Sequence, residues 1–228
     1  MNFNKTPHGC LPLIILIIFL FLPFFMADII LNALAKLGLS PASAFIGAAG
    51  IFLGGMINIP VKKIPRGNSF QVSRQSMFGL DRFFPRGLRE TNYTTIAVNL
   101  GGCVIPSLLV IYELYRVAGG GWAAVFAALF AISINIVVCN RLARLVPGVG
   151  ITMNALVPAI AASLCGVFLM PELAPQIAFS AGVLGPLVGA DLLHLKEIDQ
   201  LNTSLASIGG AGTFDGIVLS GLIATLLA

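Results

Sequence analysis

Two aspartates near the C-terminus carry the clearest chemistry in this sequence. Asp191 lies in Gly-Pro-Leu-Val-Gly-Ala-Asp-Leu-Leu-His-Leu (185–195), and Asp215 in Ser-Ile-Gly-Gly-Ala-Gly-Thr-Phe-Asp-Gly-Ile (207–217). Both stretches are otherwise largely apolar, where an ionisable group is costly enough to point to a role. Two carboxylates that share a proton can divide acid and base work: one activates a water, the other protonates a carbonyl oxygen. His194, three positions after Asp191, could instead relay protons with it. No third strong ligand joins Asp191 and His194, and Cys10, Cys103, Cys139 and Cys165 form no C-x-x-C pair. The sequence therefore predicts no metal and no cofactor, and the four cysteines read as small apolar side chains.

The elements that must position these residues are membrane helices. The chain has 228 residues, 57% hydrophobic and 10% charged, where a soluble domain carries about 25% charged residues. Its mean hydropathy is +0.98. This composition excludes a soluble globular enzyme, a disordered chain, a disulfide-stapled secreted domain and a nucleic-acid reader. The apolar residues fall in blocks of about 20, the length that crosses a bilayer as a helix. Seven blocks are expected to span, at 11–35, 41–60, 94–117, 121–140, 151–170, 175–195 and 205–228. The prediction is an all-α, polytopic membrane helix bundle forming a single integral membrane domain over 1–228. The first block is too long for a signal peptide and offers no convincing small-x-small cleavage site.

Loop 61–93 holds Lys62, Lys63, Arg66, Arg74, Arg82, Arg86 and Arg89 against Asp81 and Glu90. The positive-inside rule places it in the cytoplasm, with the N-terminus inside and the C-terminus outside. All but Lys36 and Arg116 of the 13 Lys and Arg residues then fall on the inner side. Tyr112, Tyr115 and Trp122 gather at the outer interface, as an aromatic belt should. Asp28 and Glu113 reach the same outer level, Glu113 three residues before Arg116 and so placed for an ion pair.

Asp191 and Asp215 remain. As regular helix, 207–216 would carry Asp215 roughly 16 Å into the membrane. Glycines at 209, 210, 212 and 216 argue for an unwound or re-entrant start instead, and non-helical backbone at depth is tolerated only in protein or along a cavity. Counting along the spans puts Asn58, Asn99, Asn135 and Asn154 on the level of Asp191, with Thr95, Ser133 and Thr152. The expectation is a polar chamber open to the cytoplasm, its binding residues Asn58, Asn99, Asn135, Asn154, Gly210, Gly212 and His194. Helix-end snorkelling or interhelical bonding would account for the same asparagines without a chamber. Gly47, Gly50 and Gly54 share the 3,4 spacing of Gly182, Gly185 and Gly189, which puts each set on one helix face for close packing.

Two aspartates at the cytoplasmic ends of the last two spans, the second after a Gly-rich turn, resemble the intramembrane aspartyl proteases of the presenilin, signal-peptide-peptidase and prepilin-peptidase type. In those families the second aspartate follows a Gly-x-Gly motif. Here Thr213 and Phe214 separate Gly210-Ala211-Gly212 from Asp215, Ala190 stands in the tyrosine position of the presenilin Tyr-Asp, and Val157-Pro158-Ala159-Ile160 precedes both aspartates. The resemblance implies Asp191 and Asp215 as catalytic residues and a membrane protein or peptide as substrate.

A second resemblance runs along most of the chain. Met56-Ile57-Asn58-Ile59-Pro60-Val61, Val98-Asn99-Leu100-Gly101-Gly102-Cys103-Val104-Ile105-Pro106, Gly189-Ala190-Asp191-Leu192-Leu193 and Thr213-Phe214-Asp215-Gly216 resemble a domain-of-unknown-function family of bacterial and archaeal multi-pass membrane proteins. It implies a prokaryotic inner membrane and no particular activity. Three classes of function fit: an aspartyl-protease-like enzyme, an ion- or proton-coupled transporter or channel, and a noncatalytic scaffold. The expected partners are the lipid bilayer, a peptide or membrane-protein substrate, no nucleic acid and, above all for transport, a second copy of the chain.

Overall fold

The computed structural model describes residues 10–65, 93–146, 150–201, 203 and 205–228. Most of the basic 61–93 loop, and Lys5 with it, lies outside the described residues. Among the described residues, seven α-helices run in chain order: α1 (Cys10–Lys36), α2 (Pro41–Gly54), α3 (Ile105–Ala118), α4 (Trp122–Leu142), α5 (Leu156–Leu169), α6 (Ala174–Leu184) and α7 (Gly216–Leu227). A π-helical turn over Leu100–Val104 leads into α3, and π-helix over Gly185–Leu192 prolongs α6.

Among the described residues, four helices are long and apolar enough to cross a membrane: Leu13–Lys36, Leu100–Ala118, Trp122–Leu142 and Pro171–Leu192. Helices α2, α5 and α7 are shorter, at 14, 14 and 12 residues. The purely helical expectation needs correcting at four of the seven blocks, each of which is in part a strand. Residues 41–60 leave the helix after Gly54 and become β1 (Asn58–Pro65); 94–117 begins as β2 (Tyr93–Asn99); 151–170 begins in β4 (Gly150–Thr152), paired with β3 (Arg144–Val146); 205–228 begins as β5 (Leu205–Ile208).

The causes are local. Pro60 would cost a helix interior an amide and a clash. Tyr-Thr-Thr-Ile-Ala-Val (93–98) is β-branched and aromatic, as a strand prefers. β1 pairs antiparallel with β2, Asn58 opposite Asn99, with an irregularity between Pro60 and Lys62. β5 joins the other edge of β2 in parallel, Val98 opposite Ile208. The result is a three-stranded sheet ordered β1-β2-β5 and a separate β3-β4 hairpin.

Helix α6 is the pivot of the bundle. Most of the residues in the span containing it are buried, against almost none in that of α1. One side of α6 packs Phe179 and Val183 with Ile30, Leu34, Ile51, Val110 and Leu222. The other side meets an alanine-rich layer of Ala124, Ala128, Ala131, Ala159, Ala162 and Ala224, small residues that let helices approach closely where lipid supplies no hydrophobic drive. Large apolar side chains point outward all along the bundle, among them Phe24, Phe45, Ile111, Phe126 and Phe168, as a lipid-facing surface requires.

One end of the bundle is closed by polar clasps. α1 ends at Gly38, whose φ of 80° is left-handed, and the Leu39 amide closes back on the Leu34 carbonyl, a glycine C-cap. Ser40 then caps α2 by accepting the Ser43 amide at 3.2 Å. Lys36 Nζ donates to the Leu226 carbonyl at 2.9 Å. Arg116 donates to the Leu37 carbonyl and pairs with the fully buried Glu113 at 3.1 Å, the pair expected from their spacing.

Candidate functional site

At the other end, where the strands lie, three pieces of backbone cross almost in contact. A Cβ on Gly101 would overlap the Ile51 carbonyl and the Gly55 amide, and one on Gly102 would overlap the Gly209 carbonyl. A Cβ on Gly212 would lie 2.8 Å from Gly55 Cα. The end of α2, the π-helical turn before α3 and the Gly-rich turn before α7 are therefore tied together by glycines.

Asn99 locks this crossing. Its side chain is fully buried; Oδ1 accepts the Gly102 amide at 2.7 Å, and Nδ2 donates to the Gly55 carbonyl at 2.8 Å and to Asn58 Oδ1 at 3.1 Å. Asn58 Oδ1 also accepts the Ser207 hydroxyl. A polar row thus runs across the end of the sheet from β1 to β5.

Asp215 is the N-cap of α7. Its Oδ1 accepts the Ile217 amide at 3.0 Å and its Oδ2 the Ala211 amide at 3.3 Å. The left-handed Gly209 and Gly212, at φ 69° and 59°, let the chain double back from β5 into this cap, as only glycine readily does. Asp191 occupies the last turn of the π-helix after α6, and its Oδ2 accepts the Gly209 amide at 3.4 Å.

Both aspartates are half-buried and line one cleft of about 380 Å³, with Asn58, Thr152, Ser207 and Gly210. The amides they hold, those of Gly209 and Ala211, are two residues apart in the same Gly-rich turn. Among the described residues that line this cleft none is Lys or Arg, so the acids meet no cationic partner there. No group of three or more His, Cys, Asp and Glu among the described residues is arranged to hold a metal ion.

The remaining candidates divide. Asn99 stands one layer behind the cleft, bonded to Asn58. Gly212 is buried in the crossing against Gly55, while Gly210 lines the cleft. Asn135 is fully buried in α4, where Nδ2 donates to the Ala181 carbonyl of α6 at 2.7 Å; it does not line the cleft. Asn154 is exposed and accepts the Leu156 amide at 2.9 Å, starting α5. His194 Nδ1 bonds the Ala190 carbonyl at 2.9 Å, tying the ring back to its own π-helix. Of the hydroxyls at this level, Thr152 lines the cleft, while Ser133 bonds the Leu129 carbonyl within α4.

The residue that depth counting overlooked is Ser207. It lies in β5, inside a block read as helix, and Leu-Ala-Ser-Ile (205–208) carries no period-2 alternation that could have marked the strand. The glycine spacing succeeds better in α6 than in α2. Cβ atoms on Gly182, Gly185 and Gly189 would each crowd a neighbouring helix, whereas Gly47 and Gly50 meet only side chains and Gly54 alone meets backbone.

Comparison with curated proteins and with solved structures returns no match. Comparison with protein families does. The model described as "Protein of unknown function (DUF1614)" matches residues 51–227, which include every strand and both aspartates. The chain belongs to that family.

Proposed function

We propose that the protein is an intramembrane aspartyl hydrolase that cuts peptide bonds of membrane-protein or peptide substrates. The observation that carries this reading is that Asp191 and Asp215 line one cleft at the end of a helix bundle. One carboxylate, ionised, takes a proton from a water whose oxygen attacks the scissile carbonyl carbon. The other, protonated, gives its proton to the carbonyl oxygen. Collapse of the tetrahedral intermediate breaks the C–N bond, the amine leaves with a proton, and the pair again holds one proton between them.

In this reading the chain crosses a prokaryotic inner membrane seven times, N-terminus inside and C-terminus outside, and the cleft opens to the cytoplasm. Lys62 and Lys63 on β1, next to the cleft end, agree with that orientation under the positive-inside rule. The test is the membrane proteome of wild type against Asp191→Asn and Asp215→Asn strains. Both variants should accumulate the same uncleaved membrane proteins. Identical proteomes, with the variants present at wild-type levels, overturn the reading.

One observation favours a second reading, ion-coupled transport by an oligomer of this chain. Each aspartate sits where regular α-helix is interrupted, at π-helical Gly185–Leu192 and at the Gly212–Phe214 turn, and broken helices present backbone groups to ions in transporters. Proteoliposome flux of protons or sodium that disappears in Asp191→Asn would select it.

A further inference from the structure

The residues lining the cleft include four consecutive positions of β5 (Leu205, Ala206, Ser207, Ile208) and all three of β4 (Gly150, Ile151, Thr152). Successive strand residues point to opposite faces of a sheet. A cavity on one face would touch alternate residues; one touching every residue in turn follows the strand's edge and meets its backbone. β5 is paired with β2 along one edge and β4 with β3 along one edge, so the cleft lies along the other edge of each. Among the described residues, two strand edges that neither sheet uses thus flank one space, which the two aspartates also line.

We infer that the cleft is a strand-insertion slot, in which an extended peptide segment pairs with β5 on one side and β4 on the other to give a continuous sheet β3-β4-peptide-β5-β2-β1. Backbone N–H and C=O groups are obligatory hydrogen-bonding groups, and strand addition at an open edge satisfies them whatever the side-chain sequence. The cleft, about 380 Å³, lies near the lower end of the range for ligand pockets and suits a short extended segment, not a folded domain. Leu195, Ile198 and Ile151 form its apolar walls, so apolar side chains alternating along the segment suit it best. The inference names the substrate form for the hydrolase reading and rests on it for the reaction, while the binding mode can be tested without turnover.

The probe is a capped peptide of alternating valine and threonine about six residues long, the usual strand length. A control has identical side chains but every backbone amide N-methylated, so that it can donate to neither strand. Hydrogen exchange is followed on full-length wild type and Asp191→Asn in lipid nanodiscs. At a peptide concentration about ten times its Kd, exchange in 150–152 and 205–208 should slow roughly tenfold. The methylated control should leave it unchanged. Protection of both strands in Asp191→Asn, with cleavage lost, supports slot and chemistry together. Protection of both strands without cleavage in wild type supports the slot and sinks the hydrolase. Equal protection by the two peptides, protection of one strand only, or none at either strand up to the peptide's solubility overturns the slot, whatever the cleavage assay gives.

Discussion

Asp215 has two duties in the geometry above, and substitution separates them. Its carboxylate caps α7 through the Ile217 amide at 3.0 Å and holds the Ala211 amide at 3.3 Å, and the residue also lines the cleft with Asp191. Asparagine is about as good an N-cap as aspartate, whereas alanine loses roughly 1 kcal/mol at such a site. The second bond adds about 0.5–1.5 kcal/mol, toward the low end because Ala211 is exposed and its amide can turn to water. Asp215→Ala should therefore cost about 1.5–2 kcal/mol. Asp215→Asn, which keeps the Ile217 bond through its amide oxygen, should cost only about 0.5. For a chain of this size each kcal/mol moves Tm by about 2–4 °C. Thermal unfolding in detergent should then fall by about 3–8 °C for alanine and by no more than about 2 °C for asparagine. Peptide cleavage should vanish in both, because neither side chain can serve as a carboxylate base. Equal destabilisation by the two variants would refute the capping argument. Cleavage retained by Asp215→Asn would refute the chemical one, and a scaffold function would then explain Asp215 fully.

Gly102→Ala drives a methyl into the Gly209 carbonyl and should cost at least about 3 kcal/mol, seen as loss of the monodisperse peak on size exclusion. Gly50→Ala, whose Cβ would meet Ile105 side-chain atoms at 3.5 Å or more, should be neutral or stabilising by about 0.5 kcal/mol. Asn99→Ala strands the Gly102 amide and the Gly55 carbonyl and should destabilise by about 3 kcal/mol, while Asn154→Ala, losing one exposed bond, should cost under about 1; thermal unfolding of the pair checks the contrast. Arg116→Met leaves Glu113 buried without its partner and should cost about 3 kcal/mol, the low end for broken buried pairs because Arg116 is one-third exposed. The Glu113→Gln/Arg116→Met double variant should recover most of that loss in the same assay.

The helical blocks were legible in the sequence because a bilayer dictates both their length and their apolarity, and nothing in Leu13–Lys36 or Trp122–Leu142 conflicts with that pattern. The strands were not. Tyr93–Asn99 is apolar enough to be counted as the start of a span, and its parallel partner β5 lies over a hundred residues away, so no local period announces the pairing. Depth along a helix can be counted at 1.5 Å per residue, but Asn58 and Asp215 line the cleft from a strand and from the end of a Gly-rich turn, where that count does not apply. Azimuth cannot be counted, because it is set by packing. Asn135 reaches the same level but turns toward the Ala181 carbonyl, and Asn154 turns back on its own chain. The Glu113–Arg116 pair was legible because i,i+3 spacing on a helix fixes direction as well as height.

The sheet also explains why the aspartates can sit where they do. Three helices of the bundle, α2, α3 and α7, each join a strand through a glycine segment, and those segments cross one another. A regular helix over 207–216 would have buried Asp215 deep among the helices. It would also have consumed, in its own i→i−4 bonds, the Ala211 amide that now holds Asp215. By breaking the helix at Gly209 and Gly212, the chain sets the Ala211 and Gly209 amides against the two carboxylates, and among the described residues it leaves β5 with an open edge beside them. The proposed acid chemistry and the inferred backbone recognition would therefore both depend on one interruption. A change that restores helix through 209–212 should remove both at once, whereas Asp191→Asn should remove only the first.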